Sequence, residues 1–238
     1  MGPRRTMDTT AALTDTDTRC GARWLAQLDA NGRLAHTAAL VSRFNHDLRT
    51  PLNTILGWTH LLQKGALDAV RAKHVAEVIA RNSRDQTVLL EEFVDDGRAI
   101  LNTLRLELSA QRIDETIARA IERVGSVLAL HGVSLESELD LTGVSISADA
   151  RRLERLMYRL LALVARRARE ASTMKLEAHV DRGMVEMFLY GPATDPDWSD
   201  AALLDLRIST LMAALHGGEL LVGADAARPC IQLRLPQL

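Results

Sequence analysis

Apolar and polar positions follow two different rhythms along this 238-residue chain. From residue 22 to Gly65 the period is helical, with a break near Asn31-Gly32. Stepping about 100° per residue from Val41, the side chains of Phe44, Leu48, Leu52, Ile55 and Leu62 fall within about 60° of it and form one stripe. His46, Thr50 and Asn53 fall about 120° to 180° away, on the face turned from that stripe. A second helical stretch, 67–97, carries its own stripe of Val75, Val78, Ile79, Leu89, Leu90, Phe93 and Val94. So short a join predicts an antiparallel hairpin. Two such helices cannot hide both stripes from water, so a second copy completing a four-helix bundle is the economical expectation.

After Arg98 the elements shorten. Strands are predicted over 104–109, 134–139, 143–147, 174–180 and 184–189, with helices over 113–130, 150–171 and 200–215 between them. His216-Gly217-Gly218 stops the last helix, and 219–222 with 231–235 reads as a closing hairpin. The fold class is therefore α+β: an antiparallel helical hairpin forming a dimeric four-helix bundle, followed by a two-layer α/β sandwich. The expected divisions are a disordered leader at 1–21, the hairpin at 22–99 and the sandwich at 100–238.

Composition narrows this picture without redirecting it. Lys and Arg total 29 against 31 Asp and Glu, a net charge of −2, which gives no electrostatic reason to expect nucleic acid as a partner. Aromatics at 3% are too sparse for base-stacking platforms. Cys20 and Cys230 lie near opposite ends without metal-type spacing, which predicts free thiols and a cytoplasmic location. No apolar run approaches the roughly 18 residues of a membrane span, so no membrane partner is expected.

The chemistry concentrates in Phe44-Asn45-His46-Asp47-Leu48-Arg49-Thr50-Pro51-Leu52-Asn53. A histidine on an exposed helix face offers a neutral imidazole nitrogen near neutral pH, which suits it to accept a phosphoryl group. Asp47 stands where a carboxylate can take a proton or fix the ring's tautomer. Thr50, one turn on, can hydrogen-bond a phosphoryl group or an attacking water, and Pro51 cannot donate to the carbonyl four residues earlier. The run His46 to Leu52 resembles the phosphoacceptor box of sensor histidine kinases, H-[DE]-L-R-[ST]-P-L. The likeness extends to 67–98 as the second helix of a dimerisation and phosphotransfer domain. From 104 onward it takes the outline of a Bergerat-type ATP-binding domain. It implies His46 as phosphoacceptor, Asp47 as base or orienter, Thr50 as a phosphoryl or water contact, and Arg49 and Asn53 as docking residues.

The resemblance breaks at the nucleotide motifs. Where the family has its metal-binding asparagine this chain has Leu163, with Arg159 at the earlier asparagine. The adenine aspartate maps near Gly191 and its glycine near Ala193, with Asp195 close by. Leu203 and Asp205 replace the two phosphate-loop glycines, and an aspartate beside a triphosphate repels it. Eleven residues between Gly191 and Leu203 leave little room for a lid. Asp195, Asp197 and Asp200 read either as a cation site or, more simply, as turn and cap residues. The helix from Ala150 bears Arg151, Arg152, Arg155, Arg159, Arg166, Arg167 and Arg169, either a solvated face or a dock for an acidic partner.

Among known proteins this combination resembles the histidine phosphotransferases of two-component phosphorelays. That implies phosphoryl exchange between receiver-domain aspartates through His46 without ATP and without a metal or cofactor of the chain's own, Mg²⁺ arriving with the receiver. Response-regulator receivers, a second copy of the chain and a sensor histidine kinase are the implied partners. A pseudokinase that regulates a kinase or regulator by binding, and a divergent active kinase, are the alternatives.

Overall fold

A computed structural model describes residues 30–65, 68–191, 199–222 and 230–238. The expected leader, Cys20, the helix start at 22 and the acidic loop with Ala193, Asp195 and Asp197 lie outside the described residues. The chain folds as two compact units that divide between Leu104 and Arg105.

The first unit is a hairpin of α1, Ala30–Gln63, and α2, Ala69–Ile100. Asp68 caps α2, its carboxylate accepting from the Arg71 N–H at 2.8 Å, and thereby satisfies one of the orphan donors of the first turn. Helix α2 runs past Gly97, where the sequence pattern had its stop, to Ile100 with Leu101 as its C-cap. Within the hairpin, Leu40, Val75, Ala99, Ile100 and Leu104 are buried, and the Phe44 and Phe93 rings stack with centroids 4.1 Å apart. The covered side of α1 centres on Leu40, Phe44 and Pro51, so the predicted stripe is rotated: Val41 and Leu52 stay exposed, as do Leu56, Leu90 and Val94. Two helices can only cover one sector of each other; the apolar remainder faces outward.

The second unit contains β1, Ser109–Arg112; α3, Ile113–His131; β2, Ser134–Leu139; β3, Ser145–Ala148; α4, Ala150–Arg167; β4, Thr173–Asp181; β5, Met184–Tyr190; α5, Asp200–Leu215; β6, Glu219–Val222; and β7, Cys230–Pro236. Five strands form a mixed sheet in the order β2-β4-β5-β7-β6, parallel only between β2 and β4; β1 and β3 pair separately. Helices cover one face. Ile117 of α3 and Met157, Leu160 and Leu161 of α4 share a small apolar void with Leu176, Met187, Leu189, Ile231 and Leu233 of the sheet. Strand β4 shows the expected period of two: Met174, Leu176 and Ala178 are buried, while Lys175, Glu177 and His179 lie on the other face. That face carries ion pairs of Lys175 with Glu138 and Glu177, of Arg234 with Glu186 and Glu219, and the stacked His179, Phe188 and Tyr190 rings.

In this unit two boundaries differ from the pattern by more than two residues. The strand expected over 104–109 is Ser109–Arg112 instead. The alternating leucines at 104, 106 and 108 imitate a strand, but the Glu107 N–H bonds the Asp149 carboxylate at 3.1 Å, and β3 offers partners only from Ser109 onward. Helix α4 ends at Arg167, not 171: Ala168 is extended, and Ala171 adopts a positive φ of 56°. The α5–β6 turn needs its two glycines. Gly217 has φ 75°, and a Cβ on Gly218 would lie 2.1 Å from the Arg234 carbonyl oxygen.

Candidate functional site

Residues 46, 49, 50 and 53 recur at helical spacing, which places His46, Arg49, Thr50 and Asn53 on one side of α1; all four are exposed. The His46 side chain is 85% exposed and that of Asp47 is 42% exposed. Nδ1 of His46 lies 3.1 Å from Oδ1 of Asp47. A carboxylate only accepts, so Nδ1 must carry the proton and donate it. The Nε2 lone pair is then left at the helix surface. Thr50 sits one turn beyond, and its carbonyl accepts from the Thr54 hydroxyl at 3.0 Å. Pro51 is buried inside the helix without an N–H to offer the Asp47 carbonyl.

Beneath this face lie two features the sequence pattern did not reveal. The Phe44–Phe93 stack fixes which side of α1 meets α2. Next to it, Arg43 Nη2 donates to Asp96 Oδ2 at 3.2 Å; Asp96 is 1% exposed, and Asp95 beside it is also buried. The available signal was an acidic pair interrupting the apolar run Phe93-Val94, for which the long arm of an arginine is the natural neutralising partner.

Residues 38–102 match the family model of the His Kinase A (phospho-acceptor) domain. Across 237 residues the chain is 27% identical to the sensor histidine kinase MtrB of Mycolicibacterium paratuberculosis, covering 90% of this chain and 41% of that protein. It is 21% identical over 235 residues to the histidine protein kinase DivJ of Caulobacter vibrioides, with 90% and 39% covered. The chain thus spans about two fifths of the length of these curated relatives. The solved Acinetobacter baumannii histidine kinase AdeS superposes with a TM-score of 0.56 at 15% identity, over 80% of this chain and 97% of that one. The hairpin followed by an α/β sandwich is therefore a histidine kinase-like fold, and the stretch that matches the His Kinase A model includes His46.

In the second unit, Leu163, Arg159, Gly191, Leu203 and Asp205, the positions to which the nucleotide motifs map, lie among the described residues. Leu163 is buried and offers a cation only hydrocarbon. Arg159 and Asp205 form an ion pair at 3.6 Å with both side chains nearly buried, so each neutralises the other. Leu203 is buried, and a Cβ on Gly191 would lie 2.7 Å from Val164 Cγ1, which shows how tightly α4 packs there. Among the described residues no group of three or more His, Cys, Asp or Glu could hold a metal. Among the described residues no helix is long and apolar enough to cross a membrane.

The arginine-rich face of α4 is corrected. Arg155 is buried, Arg152 pairs with Asp149, and Arg159 pairs with Asp205; Arg151 and Arg166 are the exposed arginines of the helix, and Arg169, also exposed, lies beyond its end. Spacing alone does not distinguish an arginine in solvent from one reaching a carboxylate on the next element. Asp149 is a junction: it accepts from the N–H groups of Glu107 and Arg152 and from the Arg152 guanidinium. Burial works to raise its pKa, but these donors outweigh burial and hold it below the ordinary carboxylate value.

Proposed function

We propose that this chain is a phosphohistidine carrier in two-component signalling, exchanging phosphoryl groups between receiver-domain aspartates and His46. The observation that carries the reading is the exposed His46 ring, held by Asp47 through Nδ1 with Nε2 left as the nucleophile. In the forward step the Nε2 lone pair forms the N–P bond. The acyl-phosphate P–O bond breaks, and its electron pair leaves on the receiver's aspartate oxygen. The proton on Nδ1 is shared with Asp47, which stabilises the positive charge the ring acquires. The return step reverses these changes on a second receiver. Arg49, Thr50 and Asn53 lie beside the ring and make the docking face, and the divalent cation belongs to the receiver. The filled positions around Leu163 and the Arg159–Asp205 pair support a carrier that needs no nucleotide. The exposed Val41, Leu52, Leu56, Leu90 and Val94 fit a second copy, giving a homodimeric bundle.

A second reading, a divergent kinase, is favoured by one observation: similarity to sensor histidine kinases runs over 90% of the chain rather than over the hairpin alone. The full chain is incubated with labelled ATP and, separately, with phosphorylated receivers, with His46→Ala as control. Acid-labile label from a receiver and none from ATP is the expected result. Label from ATP that disappears in His46→Ala would establish the kinase instead. No label from either source would leave a regulator that acts by binding.

A further inference from the structure

We infer that the open face of the sheet in the second unit is a docking surface for an arginine-bearing segment of a partner protein, with the Phe188 and Tyr190 rings as its floor and carboxylates as its rim. Helices α3 and α4 pack on the other, apolar face of this sheet. On the open face the rings of His179, Phe188 and Tyr190 stack in a row, with successive centroids 5.8 Å and 6.3 Å apart. Phe188 and Tyr190 are half-exposed, and His179 is exposed. The chain has only three Phe, three Trp and two Tyr, and one Phe and one Tyr stand here, on the middle strand of the sheet. Aromatic rings left half in water on a rigid strand offer a large contact area at little cost in side-chain freedom, which is how protein interfaces use them as anchors.

Charge selects the occupant. The strand register sets Glu136 and Glu138 beside Lys175 and Glu177, and Glu186 and Glu219 beside Arg234. With Asp181 at the end of β4, six carboxylates share the face with two cations, Lys175 and Arg234, and both cations are already held in ion pairs. The surplus is negative and it flanks the rings: Glu177 stands opposite Phe188, and Glu186 precedes Phe188 by two residues on the same face. A guanidinium answers both features at once, its plane stacking on a ring while its N–H groups donate to the carboxylates alongside. Nucleic acid and anionic lipid are repelled by such a face. A second copy laid face to face would set carboxylates against carboxylates. None of these residues takes part in the chemistry proposed for His46, so the two readings stand or fall apart.

The test uses the full chain and two fluorescein-labelled synthetic peptides of equal charge, one of four Arg-Gly-Ser repeats and one of four Lys-Gly-Ser repeats. Anisotropy titrations give both affinities, and ¹H–¹⁵N correlation spectra of the chain locate the bound peptide. The arginine peptide should bind more tightly than the lysine peptide, with its shifts centred on β4 and β5 around Phe188 and Tyr190. Phe188→Val keeps a residue suited to a strand but removes the ring, and should weaken the arginine peptide about two- to fivefold, the loss of one exposed cation–ring contact. The double variant Glu136→Gln/Glu138→Gln should weaken both peptides and flatten the dependence on salt. His46→Ala should bind both as the parent does. Equal affinities for the two peptides, an arginine affinity unchanged by Phe188→Val, shifts centred on another surface, or no binding of either peptide overturns the inference. Phe188→Leu, which also lacks the ring, replaces Phe188→Val if the latter loses the cooperative melting of the parent.

Discussion

Two histidines show how the two units put one side chain to opposite uses. His46 of the hairpin is 85% exposed, and its Nδ1 meets a carboxylate that is itself solvated. His216, at the end of α5, is 4% exposed; its Nδ1 bonds the Met212 carbonyl at 2.7 Å, and its Nε2 accepts from the Asp149 N–H at 3.4 Å. Both rings carry the proton on Nδ1, because each faces an acceptor there. The difference lies at Nε2. In His216 that lone pair is consumed by a backbone donor, so the ring is a structural bracket joining α5 to the start of α4. In His46 it is left at the surface and can react. Acidic residues divide the same way: Asp149 accepts from several donors, while Asp47 meets the exposed ring of His46.

The comparison breaks most sharply at His46 itself. His46→Ala should abolish acid-labile phosphorylation outright yet change stability by no more than about 0.5 kcal/mol, as for an exposed side chain without packing; labelling and a urea titration measure the two. The opposite outcome is expected in the sandwich. Leu153 is fully buried, and Leu153→Ala should cost about 2–5 kcal/mol in a denaturant titration. Smaller again is Asp149→Ala, which removes the N-cap of α4 and leaves the Glu107 N–H without its acceptor. A loss of about 1–2 kcal/mol is expected by thermal melt, most of which Asp149→Asn should recover.

The two units also differ in how far they can be read from sequence. Helices and strands are legible wherever local chemistry decides them. The stripe of α4 from Leu153 to Val164, the alternation of β4 and the His216-Gly217-Gly218 stop all appear in the structure where the pattern places them. The exposed face with His46, Thr50 and Asn53 is likewise legible, since a helix wheel predicts what it turns away from its partner. What escapes is whatever depends on partners distant in the chain. The leucines at 104, 106 and 108 alternate like a strand, yet their segment is held by Asp149, more than forty residues on. Arg155 and Arg159 read as solvated, yet one is buried and the other meets Asp205 on α5. Asp96 drew no reading from the pattern and is the best-buried carboxylate among the described residues of the hairpin, because its burial depends on the arginine 53 positions earlier.

The smallest expected effect tests the bracket role of His216 through pH. Burial pushes its pKa below the ordinary 6.5, the bond to Met212 and the nearby Asp149 charge opposing this only in part. The folded protein therefore holds the ring neutral where the unfolded chain would protonate it. Above pH 6.5 both states are neutral and His216 contributes no slope. As pH falls below that value the unfolded state binds the additional proton, and stability is lost until pH passes the lowered folded-state value. Asp149, lowered from 3.8, and Glu177, lowered from 4.5, lose their own stabilisation only in the more acidic carboxylate range. The two losses are thus separable. In urea titrations between pH 7 and pH 5, His216→Gln should flatten the slope, since an amide can donate to Met212 and accept from Asp149 without titrating. A slope unchanged in His216→Gln would show that the loss arises elsewhere and that the ring is not the buried neutral bracket its hydrogen bonds describe.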